Sequence, residues 1–158
     1  MSYSVKLIRG LAVSPRRSVV FLLSDECDLN AETRFNSMNE PGKPRSNEQR
    51  NVLTRMEHWI SGGHNDKWFH GWPNHPDYAG CFTFKWNYRN VDQRFYGFLC
   101  NPMRKCNPRF QLCVLHSFGE KVQWNTETGH LDLAIGLSKT PAALKAIAES
   151  FPDKDPEK

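Results

Sequence analysis

The chain has 158 residues, of which 39% are hydrophobic and 24% are charged, and its formal net charge is +4. These values indicate one globular domain with its own hydrophobic core and exclude a largely disordered chain. The longest apolar run, residues 19–23, is far shorter than the roughly 20 residues of a membrane span, and no signal segment follows Met1. We therefore expect a cytoplasmic protein with no membrane partner.

The first 45 residues are predicted to form short strands followed by a polar loop. Residues 18–24 read SVVFLLS, a β-branched and apolar run that is typical of a buried strand, and residues 2–8 form a second candidate. Residues 25–45 are polar and end in a stretch that is rich in proline and glycine, which predicts a loop.

A helix is predicted over residues 47–61. Ser46 and Gln49 have the spacing of a capping box, in which the serine hydroxyl accepts from the Gln49 amide and the glutamine side chain returns to the Ser46 amide. An apolar stripe follows at intervals of three and four residues, and it stops at Gly62 and Gly63. The stripe consists of Val52, Leu53, Met56, Trp59 and Ile60.

Three apolar, aromatic-rich runs, residues 81–86, 93–99 and 110–117, predict neighbouring antiparallel strands packed by the helix at 47–61. Thr140 and Pro141 then begin a second helix, predicted over 141–150. The expected fold class is α+β, an antiparallel sheet with helices packed on it. Residues 46–151 are its core, and residues 152–158 form a flexible tail of the same domain.

Positive charge is concentrated in the strand region. Residues 80–125 contain seven lysines and arginines but only two acidic residues, which favours an anionic partner. Arg89, Arg104, Lys105 and Arg109 lie in the connections between the predicted strands, so they are the candidate RNA-binding residues. The alternative for this basic loop is an ordinary solvated connection.

No metal, cofactor or disulfide is predicted. Histidines 58, 64, 70 and 75 lack the spacing of HExxH, and the five residues between Cys100 and Cys106 exceed a zinc-knuckle spacing. Five scattered cysteines, an odd number, fit reduced thiols, with Cys81 and Cys113 expected in buried strands. No P-loop and no GxSxG motif is present in the sequence.

The order of the phrases from residue 46 to residue 151 resembles the RelE/HigB-type toxins and their phage-derived relatives. A helix leads into KWFHGW, then into CFTFKW, QRFYGFL and FQLCVLHSFGEKVQW, and a polar segment with LDLA follows. In that family a strand with a basic residue precedes a strand that begins with an arginine and an aromatic residue. An apolar strand ending in a Phe-x-Lys-Lys phrase and a helix come next.

The resemblance implies an α+β RelE-like fold and metal-independent cleavage of messenger RNA on the ribosome, silenced by a cognate antitoxin protein. Matching the phrases assigns catalytic roles to Lys85, Arg94, Tyr96 and Lys121. The three cations would neutralise charge on the phosphate during attack by the ribose 2′-hydroxyl, and Tyr96 or His116 would transfer protons. Arg94 is expected on a solvated sheet surface, where its removal would leave the fold intact.

Each assignment has a structural alternative. His116 shares a strand face with Leu112 and Val114, so it is equally compatible with a satisfied core histidine. Tyr96 could be a core aromatic residue with its hydroxyl at the surface, and Arg94 and Lys121 could be an ordinary solvated sheet edge.

Two further functions compete with the endoribonuclease. Glu120 stands where the family carries a second lysine, which favours a noncatalytic module of the same fold that binds RNA or a protein. The third possibility is a small-molecule pocket lined by tryptophans. Those tryptophans are Trp59, Trp68, Trp72 and Trp86.

Overall fold

The computed structural model describes residues 2–11, 14–25, 27–120 and 124–154, with the side chains of 124–126 excepted. They form an α+β fold with a six-stranded sheet and four helices. The strands are β1 (Tyr3–Leu7), β2 (Arg17–Ser24), β3 (Phe69–Gly71), β4 (Cys81–Tyr88), β5 (Val91–Cys100) and β6 (Gln111–Glu120). The helices are α1 (Ala31–Ser37), α2 (Asn47–Ile60), α3 (Trp124–Ser138) and α4 (Pro141–Ser150). No helix among the described residues is long and apolar enough to cross a membrane.

The sheet is mixed, with the strand order β1-β2-β6-β5-β4-β3. Strands β4, β5 and β6 form the predicted antiparallel meander, but β2 pairs with β6 in parallel. The prediction of a purely antiparallel sheet was therefore wrong. The apolar run in β2 explains why it is an interior strand, because Val19, Val20 and Phe21 are each at most 2% exposed and need cover on both faces.

Helices cover both faces of the sheet, so the molecule has two hydrophobic clusters. Helices α1 and α2 pack on one face, as predicted for the helix at 47–61, and α3 and α4 pack on the other. The cluster under α1 and α2 contains Phe35, Met56, Trp59, Phe84 and Phe95. The cluster under α3 and α4 contains Tyr96, Phe98, Val114, Leu131 and Ile147.

Three elements differ from the sequence prediction or were missed by it. Residues 25–45 are not a continuous loop, because α1 forms within them and buries Phe35. Strand β3 is only three residues long, which is too short for a clear alternation. Helix α3 contains two glycines and begins with several polar residues, so its sequence lacks a clear helical repeat. The tail is anchored at its start, since Asp153 accepts hydrogen bonds from the amides of Lys105 and Cys106.

The predicted capping box is only half formed. The Ser46 hydroxyl accepts from the Gln49 amide at 3.0 Å, as predicted. The Gln49 side chain does not return to the Ser46 amide, which donates instead to Asn39 Oδ1 at 2.8 Å. Gln49 is 2% exposed, and its side-chain amide donates to the Phe35 carbonyl. Tertiary contacts with α1 and the following turn have therefore replaced the local bond.

Candidate functional site

A basic pocket of about 260 Å³ lies at the edge of the sheet near the β4–β5 hairpin. Lys85 of β4 and Arg94 of β5 are cross-strand neighbours, and both line it. Arg55 of α2 and Lys67 contribute two further cations, whereas Asp92 is the one acidic residue among the described residues of the lining. The pocket therefore brings together two residues predicted to be catalytic and two cations that the sequence analysis did not single out.

The pocket exists because β3 is short. It pairs only with residues 82–84 of β4, so the outer edge of β4 beyond that point is left uncovered by a strand. The Trp68 carbonyl accepts from the Lys85 amide at 2.8 Å, and the Lys85 ammonium donates to the Asp66 carbonyl. The loop before β3 thereby holds the Lys85 side chain at the mouth of the pocket.

Arg55 is positioned by an aromatic ring and by its own helix. Its guanidinium lies 4.9 Å from the centre of the Trp68 ring, and its Nε donates to Asn51 Oδ1 at 3.2 Å. Burial lowers the pKa of Arg55, which nevertheless remains a cation at any physiological pH because an arginine starts so high. The polar face of α2 gave no signal in the sequence that would have separated Arg55 from ordinary surface arginines.

Arg94 is not a solvated sheet residue. It is 6% exposed, and its Nη1 lies 2.6 Å from Oε2 of Glu127, which α3 lays over the sheet. The hydroxyl of Tyr96 donates to the same carboxylate oxygen at 2.5 Å. The Nε of Arg94 is buried without a hydrogen-bond partner among the described residues. The expectation of an exposed, structurally neutral Arg94 was therefore wrong, because the covering helix was missing from the prediction.

Tyr96 is a buried phenol, 1% exposed, rather than an aromatic residue with a surface hydroxyl. Its ring stacks on His130 of α3 at 4.6 Å with an interplanar angle of 6°. Burial and the hydrogen bond to Glu127 raise the pKa of Tyr96 well above its usual range. The phenol therefore stays protonated near neutral pH and donates its proton to a neighbouring carboxylate.

His116 is a core histidine. A β-bulge between Tyr96 and Gly97 leaves it between the paired residues Ser117 and Leu115. Its side chain is fully buried, with Nδ1 2.6 Å from the Ser117 hydroxyl. Burial lowers its pKa to about 3, so the ring is neutral and sealed from solvent. His116 is therefore a core histidine, but it is only partly satisfied, because its buried Nε2 has no hydrogen-bond partner among the described residues.

His70 lies within the electrostatic influence of Lys85 and Arg94. It sits in β3 opposite Thr83, and it is half-buried. Burial, together with the positive charges of Lys85 and Arg94, lowers the pKa of His70 to about 4. A neutral imidazole therefore faces the positive field of this part of the sheet.

The other predicted RNA-binding residues lie elsewhere. Arg89 is exposed at the tip of the β4–β5 hairpin, in a left-handed conformation with φ of 53°, and it does not line the pocket. Arg104, Lys105 and Arg109 are exposed at the far end of β5, about 20 Å from Arg94 along the strand. They do not share a site with Lys85 and Arg94. Lys121 lies outside the described residues.

The four tryptophans do not line a common pocket. Trp59 and Trp86 are core residues, 3% exposed each, under α1 and α2, and Trp68 packs beside them. Trp72 packs on the opposite face of the sheet. Because the sheet separates Trp72 from the others, the third possibility, a pocket lined by these four tryptophans, does not agree with the structure.

The described residues contain no group of three or more histidine, cysteine or acidic side chains that could hold a metal ion. Cys81 and Cys113 are buried in strands as expected, and burial raises the pKa of both thiols. Comparison with family models, with curated proteins and with solved structures gives no match for this chain. The function is therefore inferred from the site.

Proposed function

We propose that this protein is a RelE-like RNA-binding module that holds the RNA backbone in the basic pocket at the edge of the sheet. The observation that carries the proposal is the lining of that pocket, where Arg55, Lys67 and Lys85 face one described acidic residue, Asp92. Arg94 also lines the pocket, but its charge is compensated by Glu127. The three other cations outnumber the acid, so the pocket favours an anion, and the phosphates of a nucleic acid meet that requirement.

Single-stranded RNA fits this pocket better than a duplex. The space is narrow, about 260 Å³, and it lies at a sheet edge rather than on a broad face. Half-buried Trp68, already under the Arg55 guanidinium, offers an aromatic surface beside the cations. Stacking on an aromatic ring next to a phosphate-binding groove is a common way to hold an unpaired base. The RelE resemblance of the surrounding phrases also points to RNA.

The proposal is binding without cleavage, because the two candidate proton donors and one of the candidate cations are engaged in the core. Arg94 is paired with Glu127, and Tyr96 donates to the same oxygen. His116 is neutral and sealed. Cleavage needs a group that moves a proton at the bound phosphate, and the buried positions of Tyr96 and His116 leave neither in that role.

Fluorescence anisotropy with a labelled single-stranded RNA tests this binding. Lys67→Ala removes an exposed cation from the pocket lining, so it should weaken binding and lower the slope of log affinity against log salt concentration by about 0.7. Lys145→Ala is the matched control, since it removes an exposed lysine from α4 on the opposite face. Equal effects of the two substitutions, or no binding by the unmodified protein, would reject the pocket as the RNA site.

The second candidate is an endoribonuclease toxin of a toxin–antitoxin pair. One observation favours it: Lys85 and Arg94, the positions that the resemblance marks for catalysis, line one pocket. In this candidate the substrate is messenger RNA on the ribosome in the cytoplasm, and an antitoxin protein covers the basic surface.

Expression in bacteria separates the two candidates. The enzyme requires growth arrest with cut messenger RNA, lost in Lys85→Ala and Lys121→Ala and strengthened in Glu120→Lys, which restores the family phrase. Arg94→Ala is unsuitable here because it disturbs the buried ion pair. If the protein is harmless and leaves ribosome-bound RNA intact while it still binds RNA, the noncatalytic module stands.

A further inference from the structure

A second cationic pocket lies on the face covered by α1 and α2, away from the edge pocket. It has a volume of about 330 Å³ and is lined mainly by polar groups. Its charged residues are Arg9, Lys43 and Arg45, and no acidic residue of the described part of the chain lines it. None of these three cations takes part in an ion pair between described residues.

Arg45 is held in place before any ligand arrives. Its Nη1 donates to Gln49 Oε1 at 2.5 Å, and Gln49 is itself locked, because its side-chain nitrogen donates to the Phe35 carbonyl at 2.9 Å. Asn39 donates to the same Gln49 oxygen at 2.7 Å. The residue that fails to complete the capping box therefore fixes the guanidinium at the pocket. A fixed guanidinium loses little freedom on binding an anion.

Gly10 allows this arrangement. Its φ is +95°, and a Cβ on it would lie 2.7 Å from Arg45 Nη2. Any other residue at position 10 would push the guanidinium away from Arg9, its neighbour in the pocket lining. The glycine therefore brings two arginines from distant parts of the chain to one space.

We propose that this pocket is a binding site for a phosphate monoester. Three cations without a matching acid repel one another, and a phosphate with a charge of about −1.5 to −2 relieves that repulsion more fully than a single carboxylate does. Arginine can also bind phosphate through two parallel hydrogen bonds. The volume equals that of about eleven water molecules at ~30 Å³ each, so there is room for the group that carries the phosphate.

Calorimetric titration with inorganic phosphate tests the site itself. The protein should bind phosphate, and Lys43→Ala should weaken binding about tenfold or more, because Lys43 is an exposed loop residue that contributes charge rather than packing. Gly10→Ala should weaken it as well by displacing Arg45. If Gly10→Ala fails to fold, Lys43→Ala and Arg9→Ala still decide the question. Absence of phosphate binding, or equal binding by Lys43→Ala and the unmodified protein, would overturn the proposal.

The source of the phosphate is decided by comparing RNA oligomers with a 5′-phosphate and with a 5′-hydroxyl. Tighter binding of the phosphorylated oligomer, lost in Lys43→Ala, supports the site and assigns it to an RNA end. Saturation by inorganic phosphate without any preference between the oligomers supports the site and assigns it to a small phosphorylated compound. Lys145→Ala, which removes an exposed lysine from α4 on the opposite face, is the matched control and should leave phosphate binding unchanged. Loss of phosphate binding in Lys67→Ala but not in Lys43→Ala would place the anion in the edge pocket and reject the proposal.

Discussion

Replacing Arg94 by alanine should destabilise the folded protein strongly. The guanidinium is 6% exposed and 2.6 Å from the Glu127 carboxylate, which is 7% exposed and also accepts from Tyr96. Removal of Arg94 leaves that carboxylate buried with the phenol as its remaining partner. Breaking one side of a buried ion pair typically costs about 3–5 kcal/mol, because the other charge stays desolvated.

Urea unfolding followed by tryptophan fluorescence measures this cost. The double variant Arg94→Ala/Glu127→Ala should be more stable than the sum of the two single losses predicts, since it removes the uncompensated charge as well. Lys67→Ala, an exposed cation of the same pocket, should change the free energy of unfolding by no more than about 0.5 kcal/mol. A loss of less than about 1 kcal/mol in the free energy of unfolding of Arg94→Ala would refute the buried ion pair. It would instead support a solvent-exposed Arg94 on the sheet surface.

Three further predictions concern residues of β5 and β6. Tyr96→Phe keeps the ring on His130 but removes a hydrogen bond to a buried carboxylate, so urea unfolding should show a loss of about 1.5–3 kcal/mol. Burial lowers the pKa of His116 to about 3, below the unfolded value near 6.5, so its contribution to stability is complete above pH 6.5 and is lost as the pH falls towards 3. Between pH 4 and 7.5, this residue should add a slope of up to about 1.4 kcal/mol per pH unit to the free energy of unfolding. That contribution should be absent in His116→Gln and present in the exposed control His64→Gln. Gly97→Ala should prevent stable folding, seen as lost circular dichroism, because its Cβ would overlap the Val114 carbonyl across the bulge, and a normally stable variant would contradict the described register.

Much of the fold could be predicted from local patterns. The β-branched run at residues 18–24, the three aromatic-rich runs and the stripe after Ser46 all appear as strands or helix close to the predicted bounds. Such patterns are readable because alternation or a three- to four-residue repeat is set by which side of one element is buried. The short helix α1 and the three-residue strand β3 carry too few periods to be read in this way.

Part of the candidate site could also be predicted. Lys85 and Arg94 were named from the sequence, and the hairpin register places them side by side. Arg55 and Lys67 join them only because α2 and the loop before β3 meet at the uncovered edge of β4. This contact depends on where β3 ends, and the sequence around Arg55 and Lys67 does not indicate that position.

Local patterns are enough to identify which segments alternate, where α2 begins and where positive charge accumulates, since each depends on residues a few positions apart. Long-range packing sets the parallel pairing of β2 with β6, the contact between Gln49 and Arg45 and the burial of Arg94 by Glu127. Glu127 lies 33 residues from Arg94 along the chain. A charge that reads as solvated in its own strand becomes buried once a distant helix covers it, because burial is a property of the packed faces and not of the segment.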